Sequence, residues 1–192
     1  QRRPVTRVLR EALPVSLGLG LSSLMLTFVV GVAIGTLQAT RRGTLVDPAL
    51  TFATTAIYAA PSYWLALSLI AMFTYGATVW GFPPALRLPA FGIRDPAGVE
   101  TGWAALADVV RHAVLPVSVL AAVGAAGIAR YARSTVADLA GAEWVRTARA
   151  KGLPPRRVFG RHVLANALPP LVVLLALSLP GVRNIDLAVR DF

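Results

Sequence analysis

Four long stretches of this chain carry no charged side chain, and that distribution constrains the fold more than any other feature. They are residues 12–40, 48–86, 112–129 and 163–182. A helix needs about 20 predominantly apolar residues to cross a bilayer core. The first and fourth stretches meet that length directly. The third is short, but the apolar residues flanking Asp108 and Arg111 extend it. Composition points the same way: 56% of the 192 residues are hydrophobic and 15% are charged, against about 25% charged in soluble domains. Four such blocks leave too little polar surface to cover a soluble core, and the apolar excess excludes intrinsic disorder. Arg2, Arg3, Arg7 and Arg10 resemble the basic start of a secretory leader. The apolar run behind them is too long for one and has no clear cleavage signal.

The second stretch is too long for one straight span and short for two. Pro61 lies inside it and Gly81-Phe82-Pro83-Pro84 closes it. The missing proline N–H and the clash with the preceding turn predict a kink. One span over 58–80, entered through a separate helical piece at 47–60, satisfies both. The four expected spans are then about 13–40, 58–80, 110–130 and 160–181, within one all-α transmembrane domain.

Charge placement orients these spans. The turn at Arg41-Arg42 is basic. Residues 130–162 hold Arg130, Arg133, Arg146, Arg149, Lys151, Arg156, Arg157 and Arg161 against Asp138 and Glu143. Residues 81–111 balance three arginines with three acids. Positive loops stay in the cytoplasm, so the two basic loops are expected inside and the balanced loop outside. This leaves the arginine-rich N-terminus outside, a discrepancy that a further preceding span would remove. Trp80, Phe82, Phe91 and Trp103 in the balanced loop suit the membrane interface.

The net charge of +10 could also signal nucleic acid. Only Trp144 interleaves the basic loop, however, and its arginines flank membrane spans, so no nucleic-acid partner is expected. Enzyme chemistry finds little support. The chain has no cysteine and no G-x-x-x-x-G-K-[ST] loop. Asp108 and His112 stand four apart and can share a helix face, which reads as a juxtamembrane pair. Neither histidine has a second metal ligand at useful spacing. No catalytic, cofactor or metal residue is expected.

The most informative segment lies in the basic loop at 131–159. Gly141 can end the helix leaving the third span, and residues 142–151 contain helix formers without proline or glycine. Glu143 near the start and Lys151 at the end suit the helix dipole. Gly152 is placed as a C-terminal cap, and Pro154-Pro155 suit the first turn of the next helix. Trp144 and Ala148 share one face of this short helix, and Val145, Ala148 and Gly152 lie along a neighbouring stripe. Such a surface can seat in another protein's groove, or the loop can be a solvated basic stretch that only sets topology.

The run EWVRTARAKGLPPRRVFGRHVLANALPP, residues 143–170, resembles the cytoplasmic signature of permease subunits in dipeptide, oligopeptide and nickel ABC importers. The general importer signature E-A-A-x-x-x-G is met only at Ala148 and Gly152. Arg146 and Thr147 replace its first two positions, as is typical of the peptide branch, and VRTARAKGL is specific to that branch. LPVSLGLGLSSL (13–24), ATRRGTLVD (39–47), APSYWLALSLI (60–70), RHAVLPVSVL (111–120), ARYARS (129–134) and NALPPLVVLLAL (166–177) match further segments in order.

The resemblance implies a type I importer permease: a polytopic helix bundle in a prokaryotic plasma membrane, without catalytic activity of its own. It also implies six spans, so the first and last would lie outside 1–192, with PGVRNIDLAVRDF (180–192) as the segment before the last span, and either an internal gap near 179–182 or a truncated protein. The implied partners are a second permease subunit, two ABC ATPase subunits that hold the ATP and magnesium, an extracytoplasmic solute-binding protein and membrane lipid. Glu143, Trp144, Val145, Arg146, Thr147, Ala148, Arg149, Ala150, Lys151, Gly152 and Leu153 would form the coupling helix seated in an ATPase. In that picture Trp144, Ala148 and Gly152 make the close contacts, with Arg146, Arg149 and Lys151 at the rim. Pro61 and Pro116 would be kink points of the moving spans, or static kinks required by packing. A peptide is the expected solute, with nickel or another small ligand as an alternative. A stand-alone channel or secondary transporter is the rival architecture.

Overall fold

The computed structural model describes residues 5–95, 98 and 101–182, and every regular element among them is helical. The arginines at 2 and 3 and the segment 183–192 lie outside the described residues. Helix α1 spans Val5–Thr40, α2 spans Val46–Ala59 and α3 begins at Ser62–Ile70. Helix α3 widens into a π-helical segment, Ala71–Gly76, and ends in the turn Ala77–Val79. Helix α4 spans Trp103–Ala140, α5 spans Glu143–Ala150 and α6 spans Ala165–Val182. The lead-in to α6 is the short helix Pro155–Arg157 followed by a second π-helical segment, Val158–Leu164. Among the described residues four helical stretches are long and apolar enough to cross a membrane: Ala12–Thr40, Ser62–Val79, Trp103–Ala140 and Pro155–Ser178.

The chain breaks between α2 and α3 at Ala60 and Pro61, whose ψ angles of 135° and 133° are extended. Proline disfavours helical geometry in the residue before it, which places the break there. The second span therefore starts at Ser62, four residues later than the expected Tyr58. Pro116 behaves differently, since α4 continues as one helix of 38 residues through it.

The main crossing joins α1 to α4 through small residues. Thr27 meets Gly124, Gly31 meets Ala125 and Ile128, and Gly35 meets Ala129, Ala132 and the Arg133 backbone. A Cβ built on Gly31 would stand 2.6 Å from Ile128 Cβ, and one on Gly35 would stand 2.8 Å from Ala132 Cβ. Both lie inside van der Waals contact, so only glycine permits this approach. Steps of four on α1 are matched by steps of four on α4, so the two helices run in the same direction. Their basic ends, Arg41-Arg42 and Arg130-Arg133, therefore lie together.

Helix α3 is peripheral. Only 6% of the stretch Ser62–Val79 is buried within the chain, and Tyr63, Trp64, Leu67 and Tyr75 are exposed. In a membrane that surface faces lipid or another subunit. The loop after α3 is pinned at the opposite end from the basic turns. The Leu88 N–H donates to the Phe73 carbonyl at 2.9 Å, within the first π segment. Arg111 donates to the carbonyls of Pro84 (3.0 Å) and Arg87 (2.6 Å). Asp108 accepts from the Asp95 N–H at 2.8 Å and pairs with His112 at 3.2 Å. The expected juxtamembrane pair is thus part of a loop staple. Beside it a cavity of about 390 Å³ is lined by Pro14, Gly18, Ser22, Ile93, His112 and Pro116, among others.

Candidate docking site at the basic end

Helix α5 is short, and its position is set by what terminates it. Gly141 and Ala142 end α4 with N–H groups donating to the Asp138 and Leu139 carbonyls, both at 3.1 Å. The chain then turns through Ala142, whose ψ is 149°. At the far end Gly152 adopts φ +76°. Its N–H donates to the Arg149 carbonyl at 2.9 Å, and the Leu153 N–H reaches the Ala148 carbonyl at 3.4 Å. That pair of bonds is a Schellman cap, which needs a residue tolerant of positive φ at the glycine position.

The two faces of α5 do different jobs. Val145 and Ala148 are buried, at 0% and 5% exposure. They join Ala132 and Val136 of α4 and Val158, Val163, Ala167 and Leu171 of the second π segment and α6 in one core. Val32 and Ala39 of α1 and Leu153 pack against that core. The opposite face presents Glu143, Trp144, Arg146, Thr147, Arg149 and Ala150, followed by Lys151 and Gly152, all exposed. Trp144 is 52% exposed, unusual for so large an apolar ring.

This corrects one expectation. Ala148 does not share an outward face with Trp144; it and Val145 point into the chain's own core and seat the helix. An eight-residue helix completes just over two turns, and neighbouring residues stand only about 100° apart around it, so a rotation of little more than a quarter turn in choosing the inner face exchanges Trp144 for Val145.

A second feature was not expected at all. Asp47 at the start of α2 accepts two hydrogen bonds from Arg133 of α4, Nε to Oδ1 at 2.8 Å and Nη2 to Oδ2 at 2.7 Å. The aspartate is buried at 7% exposure. Gln38 of α1, buried at 1%, donates from Nε2 to Thr51 Oγ1 of α2 at 3.0 Å. Arg130 lies 4.2 Å over the ring of Tyr58 near the other end of α2. The sequence hint was small: Asp47 is the one acid in the basic turn after α1.

The Arg133 hydrogen bonds hold the Asp47 carboxyl below its ordinary value of 3.8, outweighing the opposing effect of burial. A lowered folded-state pKa contributes stability that is complete above the ordinary value and is lost as pH falls through the lowered one. Hydrogen exchange of the α2 amides, corrected for intrinsic rates, should therefore be flat from neutral pH down to about pH 5 and rise only in stronger acid. Asp47→Asn should raise exchange at neutral pH and remove that acid step.

Among the described residues no three His, Cys, Asp or Glu side chains gather as a metal site. What the basic end offers is a protruding helix with an aromatic and cationic outer face, anchored by an apolar inner face to three spans.

Residues 31–185 match the family described as the binding-protein-dependent transport system inner membrane component. The chain belongs to this family. It is 33% identical over 180 residues to the oligopeptide transport system permease protein AppB of Bacillus subtilis, covering 93% of the chain and 52% of that relative. It is 33% identical over 176 residues to the di/tripeptide transport system permease protein DppB of Pseudomonas aeruginosa, covering 86% and 51%. With the dipeptide transport system permease protein DppB of Escherichia coli K12 it shares 29% over 189 residues, covering 92% and 55%. The chain spans about half the length of the curated relatives it matches. As a member of the binding-protein-dependent transport family with four apolar helices, it is a multi-pass membrane protein.

Proposed function

We propose that the chain forms part of the membrane-spanning permease of an ATP-driven importer of peptides. The observation that carries this reading is α5: its inner face is locked into the spans while Trp144, Arg146, Arg149 and Lys151 face outward at the basic end. Such a helix converts a push on its outer face into movement of the bundle. A cytoplasmic ABC ATPase is the partner that would supply the push, and it would hold the ATP and magnesium. The permease itself is read as non-catalytic. The relatives' names, which mention oligopeptides, di/tripeptides and dipeptides, support a peptide solute.

The fuller assembly follows from this reading: two permease subunits, two ATPases, and a binding protein delivering solute from outside, in the plasma membrane of a prokaryote. The positive-inside rule supports placing α5 in the cytoplasm. ATP-driven closure of the ATPases would then shift the seated helices and exchange the open side of the path.

The test is co-purification of the natural gene product, expressed with its neighbouring reading frames. Wild type should bring down a Walker-loop ATPase. A buried aromatic anchor at an interface is worth about 2 kcal/mol or more, so Trp144→Ala should lower ATPase capture by at least about tenfold. Intact, membrane-embedded wild type that captures no ATPase overturns the reading and leaves a stand-alone transporter or channel.

A further inference from the structure

The importer reading explains α5 but leaves no role for the charged contacts on α2. Helix α2 is not one of the four stretches that can cross a membrane. It is nevertheless fastened near both ends to one face of α4. Near its start Asp47 takes both hydrogen bonds from Arg133, and near its end Tyr58 lies under Arg130. Arg130 and Arg133 are three residues apart, hence neighbours on the α4 surface.

Arg133 directly follows Ala132, which is buried in the core that seats Val145 and Ala148 of α5. Beyond α2 the chain is extended at Ala60–Pro61 and then enters α3, which packs little against the rest of the chain. We propose that the Arg133–Asp47 pair is a positioning strut: it makes α2 travel with the coupling helix and α4, and so carries their displacement to α3. The proposal rests on the reading of α5 as the ATPase-docking helix.

The chemistry of the pair suits that role. Apolar helix faces in a membrane have no hydrophobic force holding one register against another. A guanidinium gripping a carboxylate through two parallel N–H···O bonds resists both sliding and rotation. The Gln38–Thr51 bond ties the same stretch of α2 to α1, and Thr51 Oγ1 also donates to the Asp47 carbonyl at 2.8 Å. The start of α2 is thereby joined to both members of the small-residue crossing. Ala60–Pro61 is a short extended link whose Pro61 carbonyl accepts from the Trp64 and Leu65 N–H groups of α3, so the displacement reaches α3 as a pull on its first turn.

The test uses the complete importer in proteoliposomes with its own ATPases, binding protein and solute. Asp47→Asn, Arg133→Gln and the reversed pair Asp47→Arg/Arg133→Asp are compared for solute taken up per ATP hydrolysed. The chain has no cysteine of its own, so Phe52→Cys on α2 and Tyr131→Cys on α4, both exposed, report α2 movement by spin-label distances. In the otherwise unaltered importer that distance should be the same without nucleotide and with ATP trapped. In Asp47→Asn it should differ between the two states, and uptake per ATP should fall at least about tenfold while ATPase capture persists.

The reversed pair should restore both readouts to within about threefold of wild type. Single variants that keep uptake per ATP and a constant distance overturn the strut. If the single variants fail to assemble, the reversed pair decides: an assembled reversed pair that couples like wild type supports the strut, and one that hydrolyses ATP without uptake overturns it. Wild type lacking any ATP-driven uptake sinks the importer reading itself, whereas coupled wild type with indifferent variants sinks the strut alone.

Discussion

Gly35→Leu is expected to break the bundle at its main crossing, while Gly18→Leu on the same helix is expected to leave it standing. A Cβ at Gly35 would stand 2.8 Å from Ala132 Cβ and 2.9 Å from the Arg133 nitrogen, on a backbone that cannot yield locally. Leucine adds four carbons there and must push α1 away from α4 along the whole Thr27–Gly35 stretch. Overpacking a well-filled core costs about 1–3 kcal/mol and occasionally more. This site belongs at the upper end, because the neighbour is main chain. At Gly18 nothing lies within 4 Å of an added Cβ, so the same leucine meets open space. The measurement is the fraction of purified protein that stays monodisperse in detergent after a heat step. Equal survival of the two variants would mean that the crossing is not as close as described.

Val145→Asp is expected to abolish coupling although Val145 faces the chain's own core. Val145 is fully buried beneath α5, and a carboxylate placed there has no cation in the apolar cluster around it. An uncompensated buried charge costs about 3–5 kcal/mol, more than a two-turn helix can return through its own hydrogen bonds. The helix should therefore detach from its seat while the spans remain embedded. ATPase capture should fall as far as in Trp144→Ala, whereas Arg146→Gln, an exposed change on the next residue, should leave the seat intact. Protease sensitivity at Arg146 and Arg149 reports detachment directly. Resistance equal to wild type in Val145→Asp would count against the two-faced account of α5.

The sequence made some of this legible and hid the rest for physical reasons. The spans were readable because lipid tolerates few charges, so their absence over 12–40 or 163–182 is a strong signal. The boundaries of α5 were readable because Gly141, Gly152 and the Pro154-Pro155 pair punctuate the chain by local sterics. Its inner face was not. Trp144 and Val145 are both apolar neighbours, and which of them joins Ala132 and Val136 is decided by packing against α4 and α6, which are distant in sequence.

The Asp47–Arg133 pair joins residues 86 apart, and nothing local in either neighbourhood announces the other. The α1–α4 crossing was available in principle, because Gly31 and Gly35 have the four-residue spacing of close membrane packing. The two π segments have no comparable signature, since one extra residue in a turn leaves the apolar character of the stretch unchanged.

The parallel crossing of α1 and α4 also works as a parity check on the chain. Thr27, Gly31 and Gly35 fit Gly124, Ile128 and Ala132 only when both helices point the same way. The connection between them must therefore reverse the chain an odd number of times across the bilayer. Residues 62–79 supply one such reversal. Any rearrangement that duplicated or deleted that single crossing would present the second glycine seam upside down, however well each helix inserted. The topology of this segment is thus written twice, once in the arginines that decide which loops stay inside and again in the glycines that decide which helices can meet.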